Sequence, residues 1–150
     1  MVPTASLLSG FVLQPAHGYV ALAVVFTALV HNFYMSFGVG MARKKYGVQY
    51  PKMYATEDSP EAKAFNCVQR GHQNSLEGLP TFYALLLVSA VQFPLTAAVS
   101  GFVYSLGKIA YFTGYSTGDP DKRLRGSFSY FGLLTLIGCA VRTGFTLALA

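Results

Sequence analysis

Charge is what this sequence has least of: 11% of its 150 residues are Asp, Glu, Lys or Arg. Soluble domains carry about a quarter, so a water-exposed surface of ordinary polarity is excluded. Acid is scarcer than base, six residues against 11, and tryptophan is absent. Cysteine occurs only at Cys67 and Cys139. Their separation has no metal-ligand spacing, and on helices at different membrane depths they exclude a disulfide scaffold; both read as small buried apolar side chains. The N-terminal stretch has no basic residue before an apolar run broken by Ser9, Gly10 and Pro15, so a cleaved signal peptide is not expected. No lipidation motif or address signal is expected at the C-terminus, and no repeat or low-complexity tract breaks the chain.

What fills the chain is apolar: 53% hydrophobic residues with a mean hydropathy of +0.42. A spanning helix needs about 20 residues, and the runs predict four, at about 19–41, 61–91, 95–115 and 127–149. The expected fold is all-α, a single membrane-embedded domain over 1–150 built as a bundle of four transmembrane helices. Arg43-Lys44-Lys45 closes the first span, and a polar loop with Gly47, Pro51 and Pro60 follows. Ser59-Pro60-Glu61 reads as N-cap, N1 proline and first-turn acid, so a second helix starts there and is expected to run on to Pro94. At about 1.5 Å per residue it is longer than a hydrocarbon core, so its first turns project from the membrane. Spans two and three form an antiparallel hairpin, and a turn-rich loop from Ser116 to Arg125 leads to the fourth.

The basic residues set the orientation. Arg43, Lys44, Lys45, Lys52, Lys122, Arg123 and Arg125 lie in the first and third connections, which should therefore face the cytoplasm. The net charge of +5 is thus placed beside apolar spans. That favours anionic lipid or a small anionic ligand over nucleic acid.

Charges at membrane depth cost several kcal/mol on insertion scales, so Arg70, Glu77, Lys108 and Arg142 each demand a partner or a role. Arg70, Gln73, Asn74, Glu77 and Thr81 recur at i, i+3, i+4, i+7 and i+11, one polar stripe on the second helix. Tyr104, Lys108, Tyr111 and Tyr115 make a second stripe on the third. The tyrosines also fit an interfacial belt, and Arg70 with Glu77 could be a plain ion pair, but five polar groups over three turns exceed what one pair needs. Guanidinium groups suit carboxylates and Glu77 suits an amine, so a zwitterion with more than one carboxylate is implied. His72 is rotated about 200° from Arg70 at the helical angle per residue, off the stripe, and fits a satisfied or interfacial histidine. Asn32, Ser36, Gly40 and Arg43 share a face of the first helix, which suits interhelical hydrogen bonding. Arg142 fits a snorkelling residue. Lys108 is open between a partner for Glu77 and a structural cation.

Taken in order, Ala42-Arg43-Lys44-Lys45-Tyr46, Tyr50-Pro51, the run Phe65 to Asn74 with Glu77 and Pro80, Tyr111-Phe-Thr-Gly-Tyr115 and Lys122-Arg123-Leu-Arg125-Gly126 resemble one family. It is that of the membrane-associated proteins in eicosanoid and glutathione metabolism, and the likeness covers about residues 10 to 150. The resemblance implies a homotrimer in the endoplasmic reticulum, with the mitochondrial outer membrane as the alternative, binding glutathione between neighbouring subunits near the cytoplasmic face. It implies Arg43, Lys44, Arg70, His72, Asn74, Glu77, Tyr111 and Tyr115 as glutathione contacts. The family's thiolate-stabilising arginine falls on Arg123 by its Arg-Leu-x-Gly context, with Arg125 as the second choice. Gly78 stands where some relatives have a tyrosine, so that contact is missing, and Lys44 replaces an arginine, keeping charge without the planar fork. The implied activity is glutathione transfer to lipophilic electrophiles or reduction of lipid hydroperoxides, with glutathione as co-substrate and no metal. A non-catalytic lipid-binding scaffold or a leukotriene C4 synthase-type activity are the implied alternatives.

Overall fold

The computed structural model describes residues 12–149; the first part of the N-terminal stretch on which the signal-peptide expectation rests lies outside them. Among the described residues there are five long helices and no strand. Helix α1 runs Pro15–Tyr46, α2 Pro60–Glu77, α3 Leu79–Ala90, α4 Pro94–Tyr115 and α5 Ser129–Ala148, with a 3-10 helix at Pro120–Gly126.

Helix α1 begins with proline at its first turn and ends where Gly47 takes the left-handed conformation, φ 69°. Arg43, Lys44 and Lys45 fill the last turn, where cations favour the helix dipole. Within it, Val30–Met35 is wound as a π-helix, so the backbone there departs from the regular i−4 ladder. The carbonyl of His31 there accepts from the Ser36 hydroxyl at 3.4 Å and meets His72 Nε2 at 3.0 Å. Ser59 caps α2, accepting from the amide of Ala62 at 3.1 Å.

The expected continuous helix over 61–91 is corrected: it breaks at Gly78 between α2 and α3. Pro80 is the cause, since it has no N–H for the carbonyl of Leu76 and its ring crowds that carbonyl. The break matters for the membrane. Helices α1, α4 and α5 are long and apolar enough to cross one, with mean hydropathies of 1.7, 1.2 and 1.5. Helix α3 has 12 residues, about 18 Å at the helical rise, and α2 carries the polar stripe, so neither is both long and apolar enough to cross alone.

The helices are held by small residues. Ala97, Ala98, Ser100, Gly101, Ser105 and Gly107 are buried along α4, the packing used where lipid removes any hydrophobic drive between helices. A Cβ on Gly132 of α5 would lie 2.5 Å from the carbonyl oxygen of Ser100, so the two backbones touch. Phe82 and Tyr104 stack across α3 and α4 with centroids 4.1 Å apart. Large apolar side chains at Leu22, Val25, Leu29, Phe33 and Phe37 of α1, and at Phe131, Leu134, Val141 and Phe145 of α5, are exposed. Such extended apolar surface fits lipid or another subunit, not water.

Candidate functional site

Three segments meet at the basic end of the bundle: the start of α2, the end of α4 and the 3-10 helix. Gly118 places its α-carbon side against Ala64 of α2. The 3-10 helix lies flat on α4 because two glycines permit it. A Cβ on Gly114 would sit 2.2 Å from the carbonyl oxygen of Lys122, and one on Gly126 would sit 2.3 Å from that of Gly107. No other residue allows so close an approach. Asp119 caps the 3-10 helix, and Arg123 donates to the carbonyl of Pro120 at 3.1 Å.

The placement of Arg123 follows from that contact. Its guanidinium lies 5.8 Å from the ring centroid of Tyr115, and Tyr115 meets Tyr111 edge to face at 5.8 Å. On α2, Arg70 donates to Glu77 Oε1 at 2.8 Å, with both side chains nearly half exposed. Residues of both stripes line one hollow, Asn74, Glu77 and Thr81 from α2 and α3 with Tyr104 and Lys108 from α4.

Three adjoining hollows run along this surface. The first, about 460 Å³, is bounded by Arg70, Cys67, Lys63, Tyr115, Glu57 and Tyr54. The second, about 220 Å³, lies between Asn74, Lys108, Tyr111, Arg123 and Tyr130. The third, about 370 Å³, continues past Asn74, Glu77, Tyr104 and Lys108 to Leu133. Both signs of charge face the outermost hollow. Glu57 there is held below the usual carboxylate range by the hydrogen bond from its own amide and then by Lys52 and the amide of Thr56, so it is an anion at neutral pH. A surface with fixed cations and fixed anions suits a zwitterion better than a plain anion.

Arg70, Asn74, Glu77, Tyr111, Tyr115 and Arg123 therefore come together within one chain. The other candidates lie elsewhere. Arg43 donates to the carbonyl of Lys52 at 2.7 Å and to Gln69 at 3.4 Å, with the rings of Tyr50 and Phe65 against its guanidinium. Lys44 is exposed on the last turn of α1. His72 turns toward α1, where its Nε2 meets the His31 carbonyl and, at 3.4 Å, the Ser36 hydroxyl. Arg125 is exposed and lines none of the three hollows.

Several lining residues escaped the sequence reading. Tyr130 and Ser129 come from the start of α5, which reads only as an apolar span. Tyr54 and Glu57 sit on the loop before α2, which is strapped down by Tyr54 donating to Gln73 and by a two-way bond between Asn66 and the backbone of Ala55, each arm 2.9 Å. Gln73 on the polar stripe was the one legible sign of that strap. Among the described residues no cluster of His, Cys, Asp and Glu could hold a metal.

Fold and surface together define an integral membrane helical protein that gathers guanidinium, carboxylate and phenol groups at one end of its bundle. The chain belongs to the MAPEG family, whose model matches residues 20–145. It is 37% identical over 120 residues to microsomal glutathione S-transferase 2 of Homo sapiens, covering 77% of each chain. The corresponding protein of Mus musculus is 30% identical over 116 residues, 77% of this chain and 74% of that one. An uncharacterized protein of Synechocystis is 38% identical over 103 residues, 67% of this chain and 70% of its own.

Proposed function

We propose that this chain is a membrane-bound glutathione transferase with peroxidase capacity, in which Arg70, Asn74, Glu77, Tyr111 and Tyr115 hold the tripeptide and Arg123 faces its sulfur. The observation that carries the reading is the convergence of these six side chains on adjoining hollows, with the Arg70–Glu77 pair at 2.8 Å in their midst. Relatives named microsomal glutathione S-transferase 2 support it, while the motif order resembles type 3 of the same group. Either type is consistent with the chemistry below.

A free thiol has a pKa near 8.5, so at pH 7 only about one part in thirty is the anion that reacts. A guanidinium within about 4–6 Å lowers that pKa by roughly one to three units. Arg123 supplies this bias, with Arg125 as the second choice. The thiolate then attacks an electrophilic carbon, forming a thioether as the leaving group departs with the electron pair. Alternatively it attacks the terminal oxygen of a lipid hydroperoxide, breaking the O–O bond. The lipid leaves as an alcohol, the sulfenic acid reacts with a second glutathione, and water and the disulfide result. Lipophilic substrates reach the sulfur sideways from the bilayer.

The assembly in this reading is a homotrimer of single-domain subunits in the endoplasmic reticulum, or alternatively the mitochondrial outer membrane, with the basic segments cytoplasmic. Helices α2 and α3 together make the fourth crossing of a four-helix bundle. Arg43, Lys44 and His72, which lie off the hollows of their own chain, complete the site from a neighbouring subunit. The test is turnover of glutathione with a chlorinated aromatic and with a fatty-acid hydroperoxide by purified protein in detergent. Activity on at least one, lost in Arg123→Ala and in Arg70→Ala, is expected; a wild type inert toward both, and without glutathione binding, overturns the proposal.

A further inference from the structure

Lys108 lies on α4 seven residues before its end at Tyr115, about 10 Å into the bundle at the helical rise. An ammonium at that depth needs an anion. The obvious one is taken: Glu77 is bonded to Arg70 at 2.8 Å, and the ion pairs of the described residues, Lys52–Glu57, Arg70–Glu77 and Lys122–Asp119, leave Lys108 out. What Nζ has instead is two aromatic faces, Tyr111 at 4.9 Å and Tyr104 at 5.7 Å. Cation–π contacts leave the charge less fully compensated than an ion pair would. Lys108 also borders both inner hollows, together with Asn74, Ser129 and Tyr130, and shares the smaller one with Arg123.

A cation outside the ion pairs of the described residues, whose neighbour Glu77 is bonded to Arg70, half-buried and opening on the same 220 Å³ space as Arg123, is built for a ligand that brings an anion. Arg70 and Lys63 border the outer hollow and are cations suited to the two carboxylates of glutathione. The group left for the inner hollow is the sulfur. We propose that Lys108 is a second cation of the site, its ammonium facing the bound ligand's sulfur and sharing the thiolate charge with Arg123. This rests on the glutathione reading above and adds a residue to it. The charged and titratable groups around Nζ are Glu77 on α2, Tyr104 and Tyr111 on its own helix, Arg123, Tyr130 on α5 and His31 on α1. Glu77 opposes the effect but is engaged by Arg70; Arg123 reinforces it.

The experiment compares wild type, Lys108→Arg, Lys108→Met and Lys108→Gln as full chains in detergent. Thiolate absorbance of bound glutathione is followed against pH, and binding of S-methylglutathione, which has no ionisable sulfur, is measured by calorimetry. A removed charge facing the sulfur raises its pKa by about one unit, so Met and Gln should show a thiolate-to-thiol ratio about tenfold lower at any given pH. Arginine should stay within about threefold of wild type by keeping the charge, and S-methylglutathione affinity should change by less than about threefold in all. Neutral variants with wild-type thiolate overturn the proposal alone. So does an equal loss of S-methylglutathione binding, or a failure of both neutral variants to fold while arginine folds, since each makes Lys108 structural. A wild type that does not bind glutathione overturns this proposal and the reading beneath it together.

Discussion

Replacing Gly114 by alanine probes how the 3-10 helix aims Arg123 without altering Arg123 itself; the one side chain met is that of Arg125, in ordinary contact at 3.5 Å. The new Cβ would stand 2.2 Å from the carbonyl oxygen of Lys122 and 2.9 Å from its carbon. Relief needs the 3-10 segment to lift by about 1 Å to reach ordinary contact, because the obstacle is backbone and cannot rotate away. For a guanidinium about 4 Å from a thiolate at an effective dielectric of 20, the attraction is about 4 kcal/mol, falling to about 3.3 at 5 Å. The difference, about 0.8 kcal/mol, is about a fourfold drop in the thiolate-to-thiol ratio. Overpacking adds about 1–3 kcal/mol of destabilisation, read as a lower Tm in detergent. Gly138→Ala is the control, since nothing lies within 4 Å of its added Cβ; it should leave both readouts unchanged. A Gly114→Ala protein with wild-type thiolate and wild-type Tm would refute the idea that this glycine sets the position of Arg123.

Two further outcomes separate binding from stability and one chain from several. Glu77→Gln breaks an ion pair whose side chains are 43% and 48% exposed; exposed pairs contribute about 0–1 kcal/mol, so Tm should barely move while glutathione affinity falls at least about tenfold. If Tm collapses instead, the pair is structural. Co-expression of Arg43→Ala and Arg70→Ala subunits should restore part of the glutathione binding that each variant lacks alone, because in the proposed trimer a mixed assembly would contain some junctions with both arginines intact. Absence of any complementation in verified mixed oligomers would confine each site to a single chain.

Much of this architecture was legible because membrane helices advertise themselves by length and the polar stripe by spacing. Ser59-Pro60-Glu61 marked the start of α2, and Pro94 that of α4, through backbone chemistry that needs no tertiary context. Arg70, Asn74 and Glu77 fell on one face by helical angle alone, and the same angle set His72 apart, where it is found against α1. The misses have physical causes. The break at Gly78 was written in Pro80, but the polar stripe keeps its helical spacing from Arg70 to Thr81 and carried the reading past it. The π-helix at Val30–Met35 leaves no composition signal. The fitting of Gly114 and Gly126 against Lys122 and Gly107 pairs residues between elements, which no local pattern specifies. The strap from Tyr54 to Gln73 was invisible for the same reason. Lys108 remained ambiguous until the structure gave Glu77 to Arg70.

The central claim is that basic side chains at the membrane surface hold glutathione and keep its sulfur ionised. Its most direct measurement is the ultraviolet thiolate absorbance that develops when glutathione is added to the purified protein at pH 7, recorded for wild type, Arg123→Ala and Arg125→Ala. The account predicts a saturable thiolate signal in wild type, nearly abolished in Arg123→Ala and largely kept in Arg125→Ala. Saturable binding of glutathione with its thiol still protonated in wild type would contradict it.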